Sequence, residues 1–323
     1  MSNSRILVTG AAGFIGSHLC ETLIQRGYSV IGVDNLSMGR LENLAAVSDH
    51  SNFTFSKTDV SDTAEMKTLC KGVSTIVHLA AYKIPRYGKA IDTLRINALG
   101  AFSTFDAAAE HGARVILAST SDVYGRNPSL PYSEESESVF GSSKVPRWGY
   151  AVSKLFDEHL LLSYRDAFGL PATIIRIFGS YGPRHHLSWW GGPQSVFITA
   201  ALNGEAMEIH GDGLQTRSFC YIDDTVDGFV RTIEAKDVDG EIINIGNADE
   251  ITIHDLAVLI HELCGSSDAP NLNLIPYENF GKYEDVRRRV PDLSLAKKLL
   301  NFTPRTALRE GLLKTISWQK DAL

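Results

Sequence analysis

The chain has 323 residues, with 31 Lys plus Arg against 38 Asp plus Glu, which gives a formal charge of −7. A composition of 44% hydrophobic and 21% charged residues excludes disorder as the main state. The acidic balance argues against a nucleic-acid binder, which needs a basic face, and no apolar run approaches the roughly 20 residues of a spanning helix.

At about 150 residues per domain, the length suggests two domains or one large α/β domain with a lobe. The opening segment MSNSRILVTGAAGFIG lacks the charged, apolar and cleavage regions of an export signal. Cys20, Cys70, Cys220 and Cys264 are far apart and form no CxxC pair, which argues against a disulfide framework or a structural zinc site. A cytoplasmic protein without a bound metal is expected.

In chain order, Arg5 to Thr9 reads as a strand, followed by a glycine turn and a helix from Phe14 to Arg26. Strands follow at Ser29 to Val33 and Phe53 to Lys57, then a helix from Thr63 to Lys71. Thr75 to Leu79 is a strand, Ile91 to His111 a long helix, and Ala113 to Ala118 a strand. A helix around Tyr150 to Phe168 and a strand from Ala172 to Ile177 complete the alternation. Apolar strands alternating with helices predict a doubly wound parallel sheet with helices on both faces, a Rossmann-type α/β fold. The first domain is placed at 1–178, with a return segment near 212–248 carrying a strand at Ile242 to Ile245. Residues 179–323 are expected to form mainly a smaller substrate-binding lobe. Helices are predicted there at Ser195 to Asn203, Thr225 to Ala235, Ile253 to Cys264 and Leu293 to Leu300, with a short strand at Glu208 to His210.

Gly10-Ala11-Ala12-Gly13-Phe14-Ile15-Gly16 follows the first strand and opens the first helix. The glycines allow a tight turn and close backbone approach to a pyrophosphate, and the helix N-terminus presents free N–H groups. Asp34 ends the second strand, 18 residues past Gly16. A carboxylate there accepts from ribose hydroxyls and repels a 2′-phosphate, so NAD is favoured over NADP. Arg40 is the one nearby cation that argues the other way; it also reads as a solvated loop residue.

Tyr150 and Lys154 form a Tyr-x-x-x-Lys pair on one helix face. An ammonium beside a phenol favours the phenolate and lowers its pKa from about 10, giving a base for a sugar hydroxyl. Ser119 to Gly125 follows a strand, and ligands in open α/β sheets bind beyond the carboxyl ends of strands. Thr120 and Ser121 are therefore candidates to bond the reacting hydroxyl, although Ser, Thr and Asp also form ordinary turns.

Gly10-x-x-Gly13-x-x-Gly16, Asp34, His78-Leu79-Ala80-Ala81, Ser119 to Gly125, Tyr150-x-x-x-Lys154 and Tyr181-Gly182-Pro183-Arg184 occur in order. Together they resemble the extended short-chain dehydrogenase/reductases, the NAD-dependent nucleotide-sugar epimerase/dehydratase family. Gly211-Asp212-Gly213-x-Gln215-Thr216-Arg217 and Asn244-Ile245-Gly246 extend the resemblance over nearly the whole chain. It implies tightly bound NAD held by Gly10, Ala12, Gly13, Phe14, Ile15, Gly16, Asp34, Asn35, Asp59, Val60, Leu79, Ala80, Ala81 and Lys154. It implies that Tyr150 as phenolate deprotonates the sugar 4-hydroxyl, with Thr120 positioning it, Lys154 lowering the phenol, and Ser121 and Asp122 beside them. Substrate contacts are expected from Lys83, Arg86, Gly179, Arg184, Val196, Phe197, Arg217, Arg288 and Arg289.

From a 4-keto sugar the family branches to epimerisation, dehydration or loss of CO2. Asp122 stands where the resembling decarboxylases and dehydratases carry a glutamate, and many epimerases carry a small residue. Lys144-Val145-Pro146-Arg147-Trp148 and Gln215 to Tyr221 are similar to segments of UDP-glucuronate decarboxylases. Three features depart from the pattern: the shorter Asp122, Gly179 in place of Asn, and the Trp189-Trp190-Gly191-Gly192 loop. UDP-glucuronate decarboxylation ranks first, UDP-sugar 4-epimerisation second and dehydration third. A different class, a catalytically inactive NAD-sensing scaffold, is disfavoured because Tyr150, Lys154 and Thr120 are all present. Surplus apolar positions on Ile91 to His111 and Tyr150 to Phe168 predict a homodimer, as helices of this family pair across a two-fold.

Overall fold

Short Val/Ile/Leu-rich runs separated by helical periods can bury both faces only in a parallel sheet covered on each side. A computed structural model describes residues 4–83, 90–280 and 284–323 of the chain. The first six strands are β1 (Arg5–Thr9), β2 (Ser29–Asp34), β3 (Phe53–Lys57), β4 (Thr75–His78), β5 (Arg114–Thr120) and β6 (Ala172–Ile177). Short strands follow as β7 (Ser180–Tyr181), β8 (Met207–His210), β9 (Thr216–Ser218), β10 (Cys220–Tyr221), β11 (Ile242–Ile245), β12 (Glu250–Thr252) and β13 (Leu272–Ile275). The helices are α1 (Phe14–Gln25), α2 (Thr63–Cys70), α3 (Ala90–His111), α4 (Trp148–Phe168), α5 (Pro193–Asn203), α6 (Ile222–Glu234), α7 (Ile253–Leu263), α8 (Ser294–Leu300) and α9 (Leu308–Ala322).

The central sheet is seven-stranded and parallel, in the order β11-β6-β5-β4-β1-β2-β3. The strand order reverses between β1 and β4, which is where an open α/β sheet forms its ligand crevice. Register brings Thr9 level with His78 and Thr120 level with Ile177, so the carboxyl ends open on one side. One buried cluster packs α1 and α6 beneath the sheet, and another packs α2, α3 and α4 on the opposite face. Local chemistry sets the ends: Asp62 caps α2 by accepting from Glu65 N–H at 3.1 Å, and Gly169 stops α4 in the left-handed region.

Outside the sheet, β8 pairs with β13, and β9 pairs with β12. The α9 helix was not foreseen from the sequence. Its buried face includes Thr315 and Gln319 beside Leu312 and Ile316, so its apolar stripe is weak. Gln319 is held by Ser195 O at 2.8 Å and Thr199 Oγ1 at 2.7 Å.

A buried ion pair ties α4 to the sheet. Arg176 of β6 donates to Glu158 of α4 at 3.1 and 2.7 Å, and Ser119 of β5 donates to the same carboxylate. Removing one partner would strand the other charge. Arg176→Met is expected to cost about 3–5 kcal/mol in denaturant unfolding, with Arg176→Met/Glu158→Leu recovering much of the loss. Equal stability of Arg176→Met and the parent would refute the anchoring role.

Candidate active site

A groove of about 400 Å³ lies at the carboxyl ends of the strands and is lined by Gly10, Gly13, Phe14, Ile15, Gly16, Asp34, Asn35, Asp59, Val60, Leu79, Ala80, Ala81 and Tyr150, among others. Its floor requires glycine. A Cβ on Gly16 would stand 2.1 Å from Gly10 O, and Gly10 itself has φ +69°. No side chain caps α1, and its first turn holds no acid, so its N-terminal N–H groups face the groove without a competing carboxylate. Ala12 is fully buried and serves from behind, donating its N–H to Asp34 at 3.0 Å. Asp34 also accepts from Leu36 N–H at 2.8 Å; burial raises its pKa, against the pull of these two donors. Asn35 is fixed by Asp59 at 2.8 Å. These features fit a dinucleotide: a close-approach turn, a bare helix terminus and an acid at the end of β2.

Ser37, Met38, Gly39 and Thr58 also line the groove, and sequence reasoning missed them. Gly39 leaves room that a Cβ would fill, since that atom would meet Asp34 Oδ2 at 2.8 Å and, from far away in sequence, Ala12 at 2.9 Å.

At the inner end, the Thr120 hydroxyl is near enough to Tyr150 to favour its ionisation. Thr120 Oγ1 also accepts from Asp122 N–H at 3.2 Å. β5 runs on to Thr120, so both Ser119 and Thr120 belong to the strand rather than to the turn after it. Asp122 is paired with Arg289 at 2.6 Å, and Arg289 also approaches Ser121 at 3.5 Å. Burial opposes ionisation of Asp122, but Arg289, Arg147 and Lys83 together hold its pKa down at about 2. Asp122 is therefore a fixed carboxylate, not a proton shuttle near neutral pH. In the sequence Arg147 stood out only as part of the Lys144 to Trp148 segment and not as a site residue.

Charges other than the lysine expected to lower the phenol act on Tyr150 in the opposite sense. Burial raises the Tyr150 pKa, and the charges of Asp122 and Asp157 add to the rise against the Thr120 hydroxyl. The Lys154 ammonium is bound to Asp157 at 2.9 Å, with both side chains 1% exposed. It stands behind the residues that line the groove. Asp157 was missed although it shares a helix face with Lys154 at i+3.

Several of the residues expected to contact substrate have partners within the chain. Arg288 is a surface cation bonded to Glu250 at 2.5 and 2.9 Å. Arg184 pairs with Glu21 of α1 at 2.7 Å. Phe197 is fully buried in the core, edge-on to Trp189, and Val196 is half-buried beside it on α5. Gly179 has no room for a side chain, because a Cβ would meet Ser218 O at 2.4 Å, so its role is backbone packing. Arg217 bonds Thr216 O at 2.6 Å and lies 3.6 Å from Asp285. Lys83 lines the groove, and Arg86 lies outside the described residues.

The Asp34 carboxylate makes cofactor choice testable. Asp34→Ser is expected to weaken NAD binding tenfold or more, about 1.4 kcal/mol, while NADP loses less or gains. Calorimetric titration with both dinucleotides checks this; equal losses would refute it.

Comparison with known proteins agrees with this geometry. The profile of the NAD dependent epimerase/dehydratase family matches residues 6–246. The UDP-N-acetyl-alpha-D-glucosaminuronate decarboxylase of Bacillus cytotoxicus is 36% identical over 98% of both chains. UDP-glucuronic acid decarboxylase 6 of Arabidopsis thaliana is 39% identical over 96% of this chain and 87% of its own. The UDP-glucuronic acid 4-epimerase of Bacillus cereus, solved with UDP-glucuronic acid and NAD, superposes with a TM-score of 0.89 at 31% identity, covering 99% of this chain and 100% of its own. With its glycine turn, acid-tipped β2 and tyrosine–threonine pair on a doubly wound sheet, this chain belongs to the NAD-dependent epimerase/dehydratase family of enzymes.

Proposed function

We propose that the protein oxidises C4 of a UDP-linked uronate and decarboxylates the resulting 4-keto sugar. The observation that carries this reading is the cluster beside Tyr150: Asp122 paired with Arg289 at 2.6 Å and faced by Arg147 and Lys83. Three cations act on this one acid, a cluster that suits an anionic sugar. Relatives named as decarboxylases of UDP-glucuronic acid and of UDP-N-acetylglucosaminuronate support the same substrate class.

Tyr150 as phenolate takes the proton of the 4-hydroxyl, and Thr120 bonds the same oxygen and fixes its orientation. Bound NAD, seated on the α1 turn and Asp34, supplies the acceptor for the C4 hydride and its later return. The C4 carbonyl is β to the C6 carboxylate. The C5–C6 bond breaks, CO2 leaves, and the electron pair moves onto the C4 oxygen. Tyr150 O–H and Thr120 O–H can then donate hydrogen bonds to that oxygen while C5 takes its proton from solvent water. Arg217 and Arg289, held by Asp285 and Asp122 in the chain, are the cations we assign to a diphosphate or a uronate carboxylate.

A second reading, 4-epimerisation of the same uronate, is favoured by one feature. Arg289 favours the ionised form of Asp122, and epimerisation needs no proton at C5. Incubation with UDP-glucuronate and NAD, followed by product mass, separates the two. Loss of CO2 is expected; unchanged mass with altered stereochemistry selects the epimerase, and loss of water refutes both. Tyr150→Phe is expected to lower turnover at least a thousandfold while retaining NAD.

We also propose a cytoplasmic homodimer. The four cysteines are free thiols. Ile91, Leu94, Leu99 and Phe102 on α3 and Val152 and Phe156 on α4 are exposed, with Phe102 and Phe156 5.9 Å apart. Two such helices form one apolar face that a two-fold copy would cover. Light scattering at micromolar concentration is expected to give the dimer mass, and Leu99→Glu/Phe156→Glu the monomer mass. A monomeric parent protein would refute it.

A further inference from the structure

Arg289 meets Asp122 from residues 284–292, a segment without a helix or strand of its own. Its far end is pinned by backbone bonds: Tyr132 N–H donates to Val290 O at 2.9 Å, and Asp292 N–H donates to Tyr132 O at 2.8 Å. In its middle, Thr216 N–H donates to Arg287 O at 2.9 Å. The near end is held by side chains from the start of α4. Trp148 Nε1 donates to Glu284 Oε2 at 2.8 Å, across 136 residues of sequence. Arg147 donates to the backbone oxygen of Glu284, and Arg126 stands 3.6 Å from its carboxylate.

Two further observations single out that carboxylate. The α4 helix opens without a side-chain cap and without an acid in its first turn, so its start gains from a partner outside the helix. Gly141 keeps a place open for Glu284: a Cβ there would stand 1.6 Å from Glu284 Oε2. The φ of Gly141 is not in the left-handed region, so what this glycine supplies is space. Val286, 3% exposed, already packs with Trp148, Val145 and Ala151. Packing alone would be served by that contact and needs no acid on the indole N–H.

We propose that Glu284 is a positioning residue: it latches the segment carrying Arg289 to the first turn of α4, and so fixes the span between the base and the arginine that meets the substrate anion. The inference rests on the roles given to Tyr150 and Arg289 in the proposed function. Tyr150 lies two residues past Trp148 in the same helix. Arg289 lies five residues past Glu284 and reaches Asp122 at 2.6 Å and Ser121 at 3.5 Å, just beyond Thr120. The latch therefore closes a ring that runs from the end of β5 through Arg289 and Glu284 to Trp148 and Tyr150. A uronate held at both ends needs that span constant, since a displacement of about 1 Å can cost about a hundredfold in rate.

Glu284→Ala is expected to lower kcat/KM for UDP-glucuronate about tenfold or more, with NAD affinity unchanged. Glu284→Gln, whose amide oxygen still accepts from the indole, should restore most of the loss. Gly141→Ala expels the carboxylate while leaving both bonded partners intact. It should match Glu284→Ala, and it should add nothing in the Glu284→Ala background. One readout needs no turnover: the indole N–H resonance missing from Trp148→Phe should shift and exchange faster with solvent in Glu284→Ala. Turnover of folded Glu284→Ala within about twofold of the parent would overturn the proposal. An equal loss of NAD affinity, or an indole resonance identical in Glu284→Ala and the parent, would do the same. Loss of folding in both Glu284→Ala and Gly141→Ala would assign Glu284 a purely structural role and overturn it too. A parent protein that leaves UDP-glucuronate unchanged would sink the substrate reading instead, and the indole resonance would then decide for or against the latch.

Discussion

The site depends on the fixed placement of α4 against the carboxyl end of β5. Tyr150 and Thr120 are 30 residues apart and on different elements, yet the Thr120 hydroxyl is near enough to the phenol to favour its ionisation. Such proximity holds only if the helix cannot slide. Glu158, two turns along α4, binds Ser119 of β5 and Arg176 of β6. Ser119 immediately precedes Thr120, so the anchor and the reacting pair are neighbours on the strand. A buried ion pair is weak evidence for stability but can fix register. Here the register is what chemistry needs, because small misplacement of a proton acceptor is costly.

The cofactor end follows a different logic, that of empty space. The turn between β1 and α1 works because Gly16 allows Gly10 O within a distance that any side chain would fill. Thr9 then reaches across to β4, accepting from Leu79 and Ala80 N–H and bonding His78 Nδ1 at 2.9 Å. These bonds hold the two strands together at the point where the sheet order reverses. The crevice is a consequence of topology, and its lining is then set by whichever residues end the strands.

Most of the sheet and its helices were legible because a fully buried strand and an amphipathic helix leave strong periodic signals. Phe53 to Lys57, Ala172 to Ile177 and Ile242 to Ile245 fall where their apolar runs place them. The α9 helix was not legible, since its buried face carries Gln319 and Thr315, whose partners lie on α5 and within the helix itself. Site residues divide in the same way. Gly10, Asp34 and Tyr150 belong to local motifs and line the groove. Arg288 and Arg289 are adjacent and chemically identical; only the backbone direction after Arg287 sends one to Glu250 and the other to Asp122. Arg184 likewise looked available until α1 supplied Glu21. Pairing partners far apart in sequence decide which cations are free, and no spacing rule encodes them.

The charges around the phenol suggest why an enzyme would keep its base difficult to form. Asp122 and Asp157 both act to hold Tyr150 protonated, and Lys154 is paired with Asp157. Oxidised NAD carries a positive ring, and a cation in the groove acts on the phenol in the opposite sense to the two aspartates. A cation bound in the groove would therefore favour the phenolate. Burial strengthens both effects, because the same low dielectric that penalises the phenolate magnifies any cation brought beside it. The basicity of Tyr150 is in this sense shared between the chain and its ligand, with the two aspartates setting how much of it the ligand must supply.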